Sequence, residues 1–224
     1  MDPSATTQVS SPRTGTGQPA GSSRGGPPRG GFARQAATFV GFCLVLFAAR
    51  SSVADHYFVP TGSMIPTVAI GDRVLVNKLA YGLRVPFSER AVVEFGDPKR
   101  GDVVVLASPE DDRTLLKRVV AVPGDEVVVE GGRLSINGTE VPVDDVASGL
   151  VERLDHIVHP VRLSQGGGEN FGPLRLRSGE FLVLGDNRGE SRDGRAFGPV
   201  KRSAILGQVR SVWMRDGRPC WRTL

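Results

Sequence analysis

Two residues that are far apart in the chain, Ser63 and Lys117, have types and surroundings that could carry out chemistry. Ser63 lies in the segment PTGSMIPT, residues 60–67, whose glycine and two prolines predict a shaped turn. Lys117 lies in the apolar run LLKRVVAV, residues 115–122. A serine becomes a nucleophile when a base accepts its proton, and burial lowers the pKa of a lysine amine so that it can be that base. The pair predicts a hydrolase that uses a serine and a lysine.

Each of the two residues has a simpler interpretation when it is considered alone. A serine such as Ser63 more often shapes a turn or caps a helix than attacks a substrate. A lysine such as Lys117 can stand at a strand edge and point into water. Only their occurrence together, in these surroundings, favours catalysis.

The composition limits the architecture and the partners. A chain of 224 residues can bury one core, with room for a small lobe. Residues 1–35 are rich in Gly, Pro, Ser and Thr, which predicts a disordered tail. The net charge of +4 lies mainly in that tail and near the C-terminus, without the aromatic-basic pattern of a nucleic-acid site. We therefore expect no nucleic-acid partner; lipid headgroups or ordinary solubility account for the charge.

The cysteines and histidines do not suggest a metal site. Cys43 lies in an apolar segment and Cys220 near the C-terminus, so no disulfide and no metal-ligand spacing is expected. His156 and His159 form a close pair without a third ligand, and a surface loop is the favoured interpretation. Neither a metal nor an organic cofactor is implied.

The apolar segment before Ser63 predicts contact with a membrane. The uncharged run at 36–49 is shorter than the ~20 residues of a spanning helix. If Arg50 snorkels to the interface, the helix can continue to about Val59, which gives an anchor over 36–59. Arginines precede the run and Asp55 follows it, so the tail is expected to be cytoplasmic. The alternative is a signal peptide that is cleaved after Ala54, although the polar stretch before it is unusually long.

The remainder of the chain has the pattern of a mainly β domain. Apolar and β-branched runs predict strands, and Gly-Asp pairs between them predict turns. Asn137-Gly138 predicts a tight hairpin. No amphipathic helix is evident beyond the anchor, and residues 143–177 are interpreted as an insertion of unclear shape. The predicted strands are at 74–76, 103–107, 115–122, 127–129 and 181–184.

Four separated blocks resemble the type I signal peptidases, the membrane-anchored Ser/Lys proteases that remove signal peptides from exported proteins. In chain order the blocks are TGSMIPT at 61–67, GDRVLVNK at 71–78, KRVVAVPGD at 117–125 and GDNRGESRDGR at 185–195. The resemblance implies curved antiparallel sheets that form the catalytic domain, preceded by one N-terminal transmembrane helix. It favours a retained anchor, with residues 60–224 as the extracytoplasmic catalytic domain of a single-pass protein in the cell membrane.

The resemblance also implies roles for individual residues. Ser63 would be the nucleophile and Lys117 the general base. Ser191 would bond to the lysine and orient it, and the backbone N–H of Ser63 would form the oxyanion hole with the Thr61 hydroxyl. Further residues would brace the site as an ion pair or line the substrate pocket; these are Asp193 and Arg195 for the pair, and Met64, Val68, Leu115 and Leu116 for the pocket.

Gly194 departs from the family pattern, which often has serine between the acidic and the basic residue. This departure puts in doubt the bracing of the site by Asp193 and Arg195. The implied substrates are exported preproteins whose signal peptides carry small residues at −1 and −3, and the lipid bilayer is a second partner. One alternative is the self-cleaving domain of a stress-response repressor, but no DNA-binding module precedes Ser63. The other is a non-catalytic, membrane-tethered β-domain that acts as a binding module.

Overall fold

The structure is a computed structural model that describes residues 34–42, 54–84, 91–94 and 96–224. Most of the predicted tail and the middle of the predicted anchor lie outside these residues. Residues 34–42 form helix α1, which begins two residues inside the predicted tail. Among the described residues, no helix combines the length and the apolar character that crossing a membrane requires.

The prediction that the anchor helix continues to about Val59 is wrong. Ala54–Phe58 forms strand β1, which pairs antiparallel with Arg73–Asn77, strand β2. The physical reason is a period of two in burial: Tyr57 and Val59 pack on the core, whereas Phe58 between them is 60% exposed. In a helix, Tyr57 and Val59 would point to nearly opposite sides, so they could not both pack on the same core.

The domain consists mainly of antiparallel β-sheet, as the sequence predicted. An eight-stranded sheet has the order β1-β2-β16-β5-β6-β14-β15, with β17 paired to β16. Smaller sheets have the orders β10-β11-β12, β13-β7-β8-β9 and β3-β4. The strands of the described residues after β2 are β3 Gly82–Arg84, β4 Ala91–Glu94, β5 Val103–Ala107, β6 Thr114–Ala121, β7 Glu126–Glu130, β8 Arg133–Ile136, β9 Thr139–Glu140, β10 Val143–Val146, β11 Gly149–Leu154, β12 Ile157–Pro160, β13 Phe171–Arg175, β14 Glu180–Leu184, β15 Val200–Lys201, β16 Ile205–Arg215 and β17 Arg218–Thr223.

The central strand β5 shows why the core surrounds this part of the chain. Its valines alternate between two clusters: Val103 and Val105 pack with the residues below the Ser63 turn, and Val104 and Leu106 pack on the opposite face. Both faces are therefore buried, which explains why the sequence has a continuous apolar run here. Strand β6, which carries Lys117, pairs with β5 over residues 114–118, so the lysine is held beside a strand that is buried on both faces.

The stretch at 143–177 has a defined shape. It forms the three-stranded sheet β10-β11-β12 and then strand β13, which pairs with β7. The Asn137-Gly138 hairpin between β8 and β9 is present as predicted. Among the described residues after β1, the single α-helix is the short α2 at Gly194–Phe197, and four 3-10 helices lie at Lys78–Ala80, Ser164–Gly167, Arg188–Glu190 and Arg202–Ala204. Helix α2 follows Asp193, whose carboxylate accepts a hydrogen bond from the backbone N–H of Arg195.

Candidate active site

Ser63 lies on a turn that is closed by its own backbone. The N–H of Ile65 donates to the carbonyl of Gly62 at 3.1 Å, and the N–H of Val68 donates to the carbonyl of Met64 at 2.9 Å. Met64 is completely buried in the core below, which anchors the turn, while Ser63 itself stays half-buried. The serine is therefore held on a fixed backbone with its hydroxyl facing a cleft.

Lys117 reaches Ser63 from strand β6. Its Nζ atom lies 2.8 Å from Ser63 Oγ, and the residue is only 3% exposed. Because strand side chains alternate, Lys117 shares a face with Leu115 and Val119, and its cross-strand partner is Val104. The amine is thus buried and lies at hydrogen-bond distance from the hydroxyl.

Burial controls the acidity of this amine. The pKa of Lys117 is lowered from 10.5 to about 8, chiefly because burial disfavours the charged amine, with a smaller effect of the Arg195 charge in the same direction. Asp193 and Asp186 act in the opposite direction, because their charges favour the ammonium form. At pH 7 about a tenth of the amine is then neutral, against roughly 0.03% at the ordinary value of 10.5.

Residues 185–195, which we call the Ser191 loop, hold the Ser63 turn directly. The backbone N–H of Asn187 donates to the carbonyl of Ser63 at 3.1 Å, and its side-chain amide donates to the carbonyl of Gly62 at 3.2 Å. A Cβ atom at Gly185 would collide with the Ser63 carbonyl and with Ser191 Oγ, so only glycine allows this approach. The loop and the turn therefore form one unit.

Asp193 and Arg195 form a buried ion pair beside this unit. Arg195 donates from Nε to Oδ1 at 2.8 Å and from Nη2 to Oδ2 at 2.9 Å of Asp193. The same Oδ2 accepts the backbone N–H of Gly185 at 2.9 Å, which ties the pair to the start of the loop. Both hydrogen bonds between Asp193 and Arg195 are made although position 194 is glycine. A Cβ atom at this position would come within 2.7 Å of the Leu182 side chain.

Two further predicted residues, Thr61 and Ser191, lie near Ser63 and differ in their exposure to solvent. Thr61 is exposed and lines the cleft beside Ser63. The Oγ atom of Ser191 is buried and has no hydrogen-bond partner among the described residues, so the expected bond from Ser191 to Lys117 is not made here. The orienting role of Ser191 stays a prediction.

The cleft in front of Ser63 has a volume of about 470 Å³. Three of the four predicted pocket residues line it: Met64, Leu115 and Leu116. Val68 instead lies within the core cluster below the turn, completely buried. The charged side chains of Glu110 and Arg192 form a bidentate ion pair at the cleft wall, with distances of 2.5 and 2.7 Å.

Sequence analysis missed a buried network behind the site. Asp186 belongs to one of the Gly-Asp pairs that predict turns, but it is completely buried. Its carboxylate accepts from Arg118 Nε at 2.8 Å, from Arg118 Nη2 at 2.7 Å and from the Thr67 hydroxyl. Burial opposes the ionisation of Asp186, yet the charge of Arg118 outweighs it and lowers the pKa of the carboxyl. One sequence signal could have indicated this network: Arg118 directly follows Lys117 in an apolar strand. A second buried cation requires an anion nearby.

The surface interpretation of the histidine pair is half wrong. His156 is exposed, but His159 is only 3% exposed and lies between Glu152 and Asp186. Among the described residues, no group of His, Cys, Asp or Glu is arranged to hold a metal ion. Cys220 is a free thiol, and Cys43 lies outside the described residues.

Chemically, a fixed hydroxyl 2.8 Å from a partly neutral amine, at the wall of a cleft, can perform hydrolysis through a serine nucleophile. Comparison with known proteins agrees with a serine hydrolase. A family model described as signal peptidase, peptidase S26, matches residues 32–214. A signal peptidase I of Pseudomonas fluorescens is 34% identical over 205 residues, which cover 81% of this chain and 72% of the relative.

A signal peptidase I of Pseudomonas aeruginosa is 34% identical over 200 residues, with 79% of this chain and 70% of the relative covered. The crystal structure of a signal peptidase I from Enterococcus faecalis V583 covers 51% of this chain and 98% of that chain, at 28% identity and a TM-score of 0.39. From the family match and the relatives, the chain belongs to the signal peptidase, peptidase S26, family. Its activity is that of a serine endopeptidase that cleaves signal peptides from preproteins.

Proposed function

We propose that this chain is a membrane-anchored signal peptidase in which Ser63 is the nucleophile and Lys117 is the general base. The observation that carries the proposal is the 2.8 Å contact between Ser63 Oγ and Lys117 Nζ, with the pKa of the amine lowered to about 8. A neutral amine at this distance can accept the hydroxyl proton without the third residue that fixes the tautomer of a histidine base.

The reaction proceeds in two halves. Lys117 takes the proton of Ser63 as the oxygen attacks the scissile carbonyl, and it then returns the proton to the leaving amine. The backbone N–H of Ser63 and the hydroxyl of Thr61 donate to the oxyanion. In the second half Lys117 deprotonates a water molecule that attacks the ester on Ser63, and it returns this proton to Ser63 Oγ as the signal peptide is released as a carboxylic acid. Asp193 and Arg195 hold the Ser191 loop in place during both halves.

The substrate binds in extended form beside strand β6. Residues 118–121 of β6 pair with β14, but residues 114–117 have a strand partner on the β5 side only, among the described residues. A peptide main chain can add to this edge, as in other strand-addition complexes. Leu115 and Leu116 then stand beside the peptide, and the shallow apolar wall admits small side chains at −1 and −3.

Peptide cleavage tests this substrate preference. For purified protein in detergent, we expect a signal peptide with Ala at −1 and −3 to be cut, and kcat/KM to fall at least about tenfold when either is replaced by Phe, which the wall cannot accept. Phe at a distant position of the same peptide is the matched control. Equal cleavage of the parent peptide and the two peptides with Phe at −1 or −3 would contradict the proposed pocket, and cleavage by Ser63→Ala would contradict the proposed nucleophile.

The proposed membrane anchor would lie upstream of strand β1. Because Ala54–Phe58 belongs to the sheet, the spanning segment must end before Ala54, which leaves residues 36–53 for the bilayer. The arginines of the tail precede this segment, which favours a cytoplasmic N-terminus and an extracytoplasmic catalytic domain. Anchor and substrate then share one bilayer, so their local concentration is high without tight binding.

Limited proteolysis tests this topology. Protease added outside intact protoplasts is expected to digest an epitope at the C-terminus and to spare an epitope at the N-terminus. Lysed protoplasts, in which both epitopes are digested, are the control. Protection of the C-terminal epitope would reverse the orientation, and a mature chain that begins at Asp55 would show that the apolar segment is a cleaved signal.

A further inference from the structure

A buried carboxylate outside the site, Glu152, is bound to the Ser191 loop. Glu152 lies on strand β11, in the stretch that sequence analysis left as an insertion, and it is completely buried. Arg188 of the Ser191 loop, 1% exposed, donates to its two carboxylate oxygens at 3.0 and 2.6 Å. A bidentate pair of this kind fixes orientation as well as distance.

Every part of the Arg188 guanidinium is engaged. Besides Glu152, it donates from Nη1 to the carbonyl of Gly132 at 2.7 Å and from Nε to the carbonyl of Gly185 at 3.1 Å. The backbone of Arg188 is fixed too, because its N–H donates to the carbonyl of Arg162 at 2.8 Å. The side chain therefore joins the Ser191 loop to the β7–β8 turn and to β11.

A second connection leads from Glu152 toward Lys117. His159, directly opposite Glu152 on β12, has Nε2 at 3.2 Å from Oε2, without the alignment of a hydrogen bond. Its Nδ1 atom lies 3.7 Å from Asp186, which is bound to Arg118, the neighbour of Lys117. Burial raises the pKa of Glu152, but the charge of Arg188 outweighs it and brings the pKa to about 2, so Glu152 is an anion at working pH.

These contacts converge on the nucleophile. Arg188 follows Asn187, whose backbone and side chain hold the carbonyls of Ser63 and Gly62. A shift of the loop at Arg188 therefore moves the Ser63 turn relative to Lys117, which stands on the separate strand β6. Misplacement of reacting groups by about 1 Å can cost about 10²-fold in rate.

We propose that Glu152 is a positioning residue for signal-peptide cleavage: by clamping Arg188 it fixes the Ser191 loop and thus the distance between Ser63 and Lys117. The proposal rests on the function proposed above. It assigns a role in catalysis to the β10–β12 sheet, whose residues do not line the cleft in the described structure.

The test uses the full-length protein in detergent and two sets of variants. Glu152→Gln keeps the shape but turns an amide toward one donor of Arg188, which breaks the bidentate contact. The double variant Glu152→Met with Arg188→Leu removes both charges together, which avoids an unpaired buried ion. Asp144→Asn is the matched control, because it removes one partner of the exposed Asp144–Arg153 pair in the same sheet.

For both sets we expect kcat per active site, counted by burst titration, to fall at least about tenfold while KM stays within about threefold. The Tm of the double variant should stay near that of the wild type, because it leaves no unpaired buried ion. A purely structural role would instead lower Tm or the number of titrated sites and leave kcat per site unchanged, and that result overturns the proposal. If Glu152→Gln does not fold, the double variant decides, and a wild-type kcat per site in any folded variant of Glu152 also overturns the proposal.

Ser63→Ala, measured in parallel, separates the two proposals. If Ser63→Ala is inactive and Glu152→Gln has wild-type kcat per site, only the positioning role fails. If Ser63→Ala keeps its activity, the proposed nucleophile fails, whatever the result for Glu152.

Discussion

Ser63→Ala is expected to lower kcat/KM by about 10⁴-fold or more, because it removes the only atom that forms the covalent intermediate. The variant should fold, since the contacts that hold the turn use the backbone carbonyls of Ser63 and Gly62 and the buried side chain of Met64. The rate is measured with one signal-peptide substrate in detergent, alongside the thermal unfolding of both proteins.

Ser135→Ala is the matched control for the loss of a hydroxyl, because Ser135 lies on β8, outside the cleft. Its activity should equal that of the wild type. A folded Ser63→Ala protein that cleaves at near the wild-type rate would remove Ser63 from the role of nucleophile.

Lys117→Arg is expected to be inactive as well, although it keeps a positive charge. A guanidinium stays protonated at all working pH values and cannot accept the Ser63 proton. Because arginine is larger than lysine and position 117 is buried, Lys117→Met is the second variant, with similar length and no basic group. We expect both to lose about 10⁴-fold in kcat/KM, measured as for Ser63→Ala.

Lys201→Arg, an exposed substitution of the same kind on β15, is the control and should be fully active. Substantial activity of Lys117→Met in a folded protein would exclude Lys117 as the base. The search for the base would then move to His56, His156 or His159.

The strands of the domain were predictable because their local patterns agree with their burial. Val103–Ala107 is buried on both faces and is an uninterrupted apolar run in the sequence. Asn137-Gly138 predicts the β8–β9 hairpin from local turn preferences alone. The N-terminal boundary was not predictable in this way. The segment that became β1 follows an apolar run, and its period of two is short, so a continuous helix fitted its composition equally well.

The reactive pair was predictable from the types and settings of the residues, whereas the support behind it was not. Glu152 and His159 lie in the stretch 143–177, which was left as an insertion, and Asp186 lies in a Gly-Asp turn pair; sequence rules assign such polar residues to the surface. Glu152 and Asp186 are buried because arginines from distant segments neutralise them, and His159 lies between these two carboxylates. Sequence patterns do not show which segments meet. Val68 is the opposite case, an apolar residue near Ser63 that packs into the core rather than onto the cleft.

The pH dependence of kcat/KM, for wild type and Lys117→Arg with one signal-peptide substrate, tests the central claim most directly. This quantity reports the free enzyme, in which the pKa of Lys117 is lowered to about 8. Below that pH the amine is protonated and has no lone pair for the Ser63 proton, so the wild-type rate should rise with pH through about 8 and then level off. Lys117→Arg should show no such rise. A wild-type rate that is already level at pH 6, or the same rise in Lys117→Arg, would contradict a lysine base.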